Sequence, residues 1–301
     1  MKNILKTFSL LLLISLTVSC GSNSGDDLLY SAQEERGWIQ FEETNLEVIQ
    51  AVLGITGTVD LGVNIQVPTT SSDLTINYKL TPVSGLDPNT VFSNNGTVVA
   101  PAGKTSYAGP DNRTGLEYSF LATIGFNILE LEGSNFTEPM VFDVELTATS
   151  SPQVTVGLAG ETFPVTQRIL VYPSIAHAFI GTYSVSEQFV AGPNAPSGLT
   201  DFFGESYQVE LALLPNDDTG TKLVITNSDG FDIYFLPNTE LTINEDGSLW
   251  FDDGNDPPNP VVALFRILDV ESSSYNWMNG DLRATGQLGN FGTYRFILTK
   301  M

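Results

Sequence analysis

The feature that most constrains this chain is an apolar–polar alternation of period two, recurring in short bursts along most of its length. From Gly57 to Val67 it sets Val59, Leu61, Val63, Ile65 and Val67 on one face and Asp60, Asn64 and Gln66 on the other. Successive side chains of a strand point to opposite sides, so this pattern makes a half-buried strand; a helix would scatter the same residues around its circumference. Leu74–Leu80 and Met140–Ala148 alternate in the same way, the latter with Phe142, Val144 and Leu146 offset from Asp143, Glu145 and Thr147. Ser206–Leu214 turns Tyr207, Val209, Leu211 and Leu213 inward, and Gly292–Thr299 does so with Tyr294, Phe296 and Leu298. Arg168–Tyr172, Phe179–Val185, Lys222–Thr226, Phe231–Phe235 and Val261–Leu268 read as further strands. Glu240–Phe251 reads as a hairpin in which Leu241 and Ile243 meet Leu249 and Phe251 across an Asp246-Gly247 turn.

Between these runs lie turn-rich stretches, Pro68–Asp73, Pro82–Asn95 and Ala108–Gly115. Short strands spaced by such turns build sandwiches or barrels, so the expected class is all-β. Pro173-Ser174 interrupts the pattern and marks a boundary between a β-sandwich over 37–174 and an antiparallel sandwich or barrel over 175–301. No repeat of fixed period is evident, and the two regions do not look alike.

The N-terminus follows a different rule. Lys2 and Lys6 precede an apolar run, Phe8–Val18, of about 11 residues broken by Ser9, Ser15 and Thr17. A membrane-spanning helix needs about 20 apolar residues, so residues 1–19 read as a secretion signal. Leu16-Thr17-Val18-Ser19-Cys20 resembles the lipobox of bacterial lipoproteins, with Thr17 standing where a large aliphatic residue is usual. The resemblance implies cleavage before Cys20, the only cysteine, and attachment of lipid to its sulfur. Residues 20–36 then form a flexible polar tether. Its acidic start, Asp26-Asp27, resembles the surface-export signal of Bacteroidota lipoproteins. The expected location is the outer membrane, lipid-anchored and facing the cell exterior, the periplasmic face being the alternative.

With Cys20 carrying lipid no structural disulfide can form, and each domain depends on its own core. All 35 acidic residues fall after the signal, where the 12 basic ones lose Lys2 and Lys6; the net charge is near −25. Such a surface repels phosphate backbones, which excludes nucleic acid as a partner. Cations and neutral ligands such as sugars are favoured.

Two further resemblances bear on the domains. Gly96–Lys104, together with Glu138 and Phe142–Leu146, resembles strand motifs of Calx-β and related immunoglobulin-like sandwiches, which implies that fold for 37–174. The family's acidic calcium ligands find no clear match, although Glu130 and Glu132 are near. Gly181-Thr182-Tyr183 and Tyr294-Arg295-Phe296 resemble the C-terminal β-domains of Bacteroidota surface lipoproteins, some of them lipocalin-like. The chain as a whole resembles such lipoproteins, which implies an accessory role in polysaccharide uptake or gliding.

Catalytic chemistry finds few footholds. His177, the sole histidine, stands at the domain junction; a Ser-His-Asp mechanism would have to use it, and one histidine cannot build a multi-histidine zinc site. The nucleophile-elbow, Walker and Rossmann motifs are absent from the sequence. Glycosidases need only two carboxylates, and Glu130 with Glu132, two apart on a strand, would share a face. No cofactor is required, but calcium is an option. Acidic turns recur at Asn216–Gly220, Asn227–Gly230, Asn244–Gly247 and Asp252–Asp256, and Asp252, Asp253 and Asp256 form the densest group. Asn, Asp and Gly also dominate turns for backbone reasons alone. Aromatic faces stack on pyranose rings: Trp38, Trp250 and Trp277 are candidates, with Tyr275 in the polar Ser272–Gly280 loop. The expected function is a membrane-anchored, non-enzymatic binding or scaffold module for glycans or surface proteins. The alternatives are a secreted carboxylate-dependent hydrolase and a lipocalin-like small-ligand carrier.

Overall fold

The computed structural model describes residues 37–42, 48–66, 72–93, 95–102, 122–160, 162, 164–198, 207–227, 239–244, 246–252, 261–262, 265–266, 273–288 and 290–301. The side chains of 250–252, 261–262, 265–266 and 287–288 are not among what is described. Cys20, Asp253, Asp256 and the expected strand Phe231–Phe235 lie outside these residues, so they receive no structural account.

The chain is all-β: an N-terminal immunoglobulin-like sandwich followed by an antiparallel, barrel-like sheet. One sheet of the sandwich contains β1 (Gly37–Phe41), β3 (Thr58–Gln66), β6 (Ala122–Asn127) and β8 (Val154–Val156), in the order β6-β3-β1-β8. The other contains β2 (Val48–Val52), β4 (Leu74–Ser84), β5 (Thr97–Ala100), β7 (Met140–Thr149) and β9 (Thr166–Tyr172), in the order β2-β9-β7-β4-β5. β1 joins the first sheet antiparallel to β3, and β2 crosses to the second, where it runs parallel to β9. This split entry, with β1 on one sheet and β2 on the other, belongs to a two-sheet sandwich of immunoglobulin-like type.

Alternation fills the space between the sheets. Val59, Leu61, Val63 and Ile65 of β3 face Phe142, Val144 and Leu146 of β7, all buried. At the centre Phe92, Phe126 and Phe142 pack with ring centroids 5.3–5.7 Å apart, Phe126 meeting both others nearly edge-on or edge-on. Edge contacts of this kind contribute beyond the area they bury. Glu130 and Glu132 do not share a strand face. Glu130 belongs to a 3-10 turn (Ile128–Leu131) and Glu132 caps it, so residues two apart diverge.

The third sheet contains β10 (Gly181–Ala191), β11 (Tyr207–Leu213), β12 (Lys222–Asn227), β13 (Glu240–Ile243), β14 (Leu249–Asp252), β15 (Val261–Val262), β16 (Phe265–Arg266), β17 (Ser274–Asn276), β18 (Asp281–Leu288) and β19 (Gly292–Lys300). Every pairing in it is antiparallel. The order is β14-β13-β12-β11-β10-β19-β18-β16-β15, with β17 also pairing β18; β19 returns to pair with β10, from Tyr183↔Lys300 to Ala191↔Thr293. β14 and β15 run alongside each other, so the sheet curls into a nearly closed barrel. The expected single strand Val261–Leu268 is instead the two short strands β15 and β16. The expected Glu240–Phe251 hairpin has the register foreseen, Leu241↔Phe251 and Ile243↔Leu249.

Tyr183, Val185, Phe189, Tyr207, Val209, Tyr294, Phe296 and Leu298 fill the barrel interior. Glu187 also points inward, buried, and accepts a 2.7 Å hydrogen bond from the Tyr207 hydroxyl. One end of the barrel is stoppered by a 3-10 turn, Ala176–Phe179, rather than by the strand start expected at Phe179. Ile175, Ala176, Ala178 and Phe179 join the barrel core there, and Val52 of the sandwich joins the same cluster. Three donors fix the turn: Tyr183 Oη to Phe179 O (2.8 Å), Lys300 Nζ to Ala178 O (2.9 Å) and Ala176 N to Gly220 O (3.1 Å). Gln50 Nε2 reaches Met278 O across the same junction at 3.1 Å.

Candidate functional site

The β17–β18 hairpin builds a polar concavity on the barrel wall. Its last strand pair is Asn276↔Asp281, and Gly280, at φ +75°, closes the turn between them. A left-handed conformation of this kind is cheap for glycine and costly for other residues. The two asparagines brace the turn: Asn276 Oδ1 accepts from Met278 N (3.1 Å) and Asn279 Oδ1 from Asp281 N (3.0 Å). Asn279 Nδ2 donates to Asp281 Oδ2 at 2.9 Å. Alternation then sorts the ladder. Tyr275 and its partner Leu282 face the core, while Ser274 with Arg283, and Asn276 with Asp281, form the outer rows. Arg283 is also in register with Ile297 of β19. These residues line a cleft of about 250 Å³, with a hydroxyl, two amides, a carboxylate and a guanidinium around an apolar floor. That inventory hydrogen-bonds a polyhydroxylated ligand from several sides.

Of the aromatic candidates, only Tyr275 lines this cleft. Its ring meets Phe179 edge-on at 5.5 Å and its hydroxyl donates to Asn244 O at 2.8 Å, so it also closes the barrel base. Trp277 is half-buried against the same core. Trp38 lies on β1, its indole N–H donating to Gln40 Oε1 at 2.7 Å. Trp250 lies on β14 opposite Thr242, and its side chain is outside the description. The cleft residues outside the Ser272–Gly280 stretch singled out with its aromatics are Asp281, Leu282, Arg283 and Ile297. The sequence signal for those on β18 is Asn279-Gly280, a strong hairpin dipeptide; Ile297 joins only through the β18–β19 register.

The acidic turns that can be described satisfy themselves. Asp217 accepts from Thr219 N (3.0 Å), Thr221 N (3.0 Å), Lys222 N (2.8 Å) and the Thr219 hydroxyl. Burial alone would raise its pKa, but these hydrogen bonds outweigh burial and hold the carboxyl below its ordinary value. Asp246 accepts from Ser248 Oγ (2.6 Å) and Ser248 N (2.9 Å), which lower it likewise. Asp252 is in backbone register with Glu240. Among the described residues no group of three or more His, Cys, Asp or Glu side chains could hold a metal ion.

His177 Nδ1 lies 2.9 Å from Ser174 Oγ, within the linker turn. Burial lowers the imidazole pKa, partly offset by the Glu138 charge and a hydrogen bond with the Thr137 backbone. Ser174 packs tightly beneath Gly220, where a β-carbon would stand 2.6 Å from Ser174 Cβ. This packing makes the pair a fastening of the linker. A second cleft, of about 410 Å³, opens between the edge strands β5 and β6 over Phe92 and Phe126. There Glu130 Oε2 accepts from Ser93 N at 2.6 Å.

No family model matches this chain, and no curated protein does. Among solved structures it is similar to the apo-form Calx CBD1 domain, at 13% identity over 46% of this chain and 96% of that one, with a TM-score of 0.28. It is also similar to the lipoprotein BT2262 from Bacteroides thetaiotaomicron, at 10% identity over 87% and 100%, with a TM-score of 0.28. The periplasmic chaperone SfaE matches at 12% identity over 70% and 95%, with a TM-score of 0.26. At these scores the likenesses carry no weight for ligand or activity. Among the described residues no helix is long and apolar enough to cross a membrane.

Proposed function

We propose that this protein is a non-enzymatic binding module, held at the outer membrane by lipid on Cys20 and displaying its barrel-wall cleft to a glycan. The observation that carries the reading is the cleft itself: Ser274, Asn276, Asn279, Asp281 and Arg283 converge on one rigid hairpin above an Ile297 floor. Rigid placement matters because a ligand that binds a preformed polar site does not also have to order it. The lipid anchor rests on the sequence around Cys20. The clamped linker supports a scaffold role as well, since it would present the barrel at a fixed attitude to the sandwich.

The test is a glycan array probed with the mature chain and with Asn279→Ala. This variant removes the brace between the turn and Asp281 without touching the core. Saccharide binding that weakens in the variant supports the proposal. Conversion of a bound saccharide into shorter products would replace it with a hydrolase.

A further inference from the structure

The charge of this protein makes Arg283 conspicuous. Acidic residues outnumber basic ones 35 to 12, so a cation has a wide choice of partners. Among the described residues, Lys79 pairs with Glu145, Arg168 with Asp143 and Lys222 with Glu240, while Lys300 donates to Ala178 O. Arg283 has no ion pair or hydrogen bond among them, and its exposed side chain lines the cleft. The nearest carboxylate by register is that of Asp281, one outward position along β18, and its Oδ2 is bonded to Asn279.

A second observation lies one row further along the same outer face. Thr285 and Arg295 are cross-strand partners, as Arg283 and Ile297 are. The Oγ1 of Thr285, a residue only 4% exposed, and the Nε of Arg295 are both buried without a hydrogen-bond partner. Buried donors in native proteins are nearly always satisfied, so this pair is exceptional; it lies beside the cleft and not in its lining. Two guanidinium-bearing positions thus stand diagonally on β18 and β19, with Ile297 and Thr285 completing the square. A guanidinium is a planar fork that matches a carboxylate with two parallel hydrogen bonds.

We infer that the cleft recognises a carboxylate-bearing saccharide, with Arg283 taking the acid group and Ser274, Asn276 and Asp281 taking ring hydroxyls. The inference rests on the glycan-binding reading above and adds the charge of the ligand. The ligand is a short acidic unit or a chain end. A long polyanion would run along many surface carboxylates at less than the roughly 10 Å beyond which 0.1 M salt screens them, and would be repelled.

The experiment is titration calorimetry on the mature chain with tri-galacturonic acid and with its methyl-esterified counterpart. The two differ in charge while keeping their hydroxyls. The acid is expected to bind at least about tenfold more tightly than the ester, a difference on the scale of one charge-assisted contact. Arg283→Ala should abolish that preference and Arg283→Lys should restore part of it. Circular dichroism and the melting temperature should be unchanged, since the side chain is exposed. Equal binding of acid and ester, or an acid preference that survives in Arg283→Ala, overturns the inference. In the first case a neutral glycan site survives. Absence of binding by both trimers overturns the inference, and the broader reading then stands or falls on the array.

Discussion

Replacing Asp217 by alanine should destabilise the barrel to the same extent with and without calcium. The carboxylate holds the loop between β11 and β12 through three backbone amides and one hydroxyl. Hydrogen bonds to a charged acceptor contribute about 1.5–3 kcal/mol each at most. Asp217 is half-exposed, and water can satisfy part of what alanine abandons, so the four together should be worth about 3 kcal/mol. For a chain of this size that is a fall in melting temperature of about 6–12 °C, at roughly 2–4 °C per kcal/mol. The assay is differential scanning calorimetry of the wild type and Asp217→Ala, each in EDTA and in millimolar calcium chloride. If calcium raised the wild-type melting temperature by several degrees and the variant lost that gain, Asp217 would be a metal ligand and the self-satisfied loop would be refuted. The same carboxylate gives a pH signature. Its pKa is depressed in the fold, so its stabilisation is present above the ordinary aspartate value and is lost as pH falls through the lower folded value.

Three further outcomes are expected. Gly292→Ala should cost at least about 3 kcal/mol, because the residue sits at φ +132° and a β-carbon would stand 2.2 Å from Ala191 O; an unchanged urea midpoint would contradict this. His177 is shifted below its ordinary value, so the fold favours the neutral ring, and stability should fall as pH drops from 7 through the unfolded value toward the folded one. His177→Gln should flatten that part of the curve, and an identical slope in the variant would show that other groups set it. Cys20→Ser should abolish metabolic palmitate labelling and release the chain from membranes, whereas retained labelling would place the lipid elsewhere.

Much of the fold was legible because alternation is a local property. Val59 to Ile65, Phe142 to Leu146 and Tyr294 to Leu298 each declare an inner face within one strand, and the structure buries those faces. The register of the Glu240–Phe251 hairpin was legible for the same reason. What escaped depends on neighbours distant in sequence. Phe179 follows the strand pattern of Gly181–Val185, but the open barrel end draws it into a 3-10 turn as a stopper. Glu130 and Glu132 follow β6 too closely for sequence to separate strand from turn, and Asn127, whose side chain caps the turn at Leu129 N, decides it. Tyr275 was visible as an aromatic in a polar stretch, but its pairing with Leu282 of β18 turns it to the core. Arg283 and Ile297 lie 14 residues apart in number and become neighbours only through the β18–β19 register.

The central claim, that the barrel-wall hairpin is where this protein meets its ligand, is tested most directly by amide chemical shifts. Nitrogen-15 spectra of the mature chain titrated with the saccharide it binds should show perturbations confined to residues 274–283 and the neighbouring strand around Ile297. Perturbations centred on Phe92–Val98 and Thr123–Glu130, at the sandwich cleft, would contradict the account.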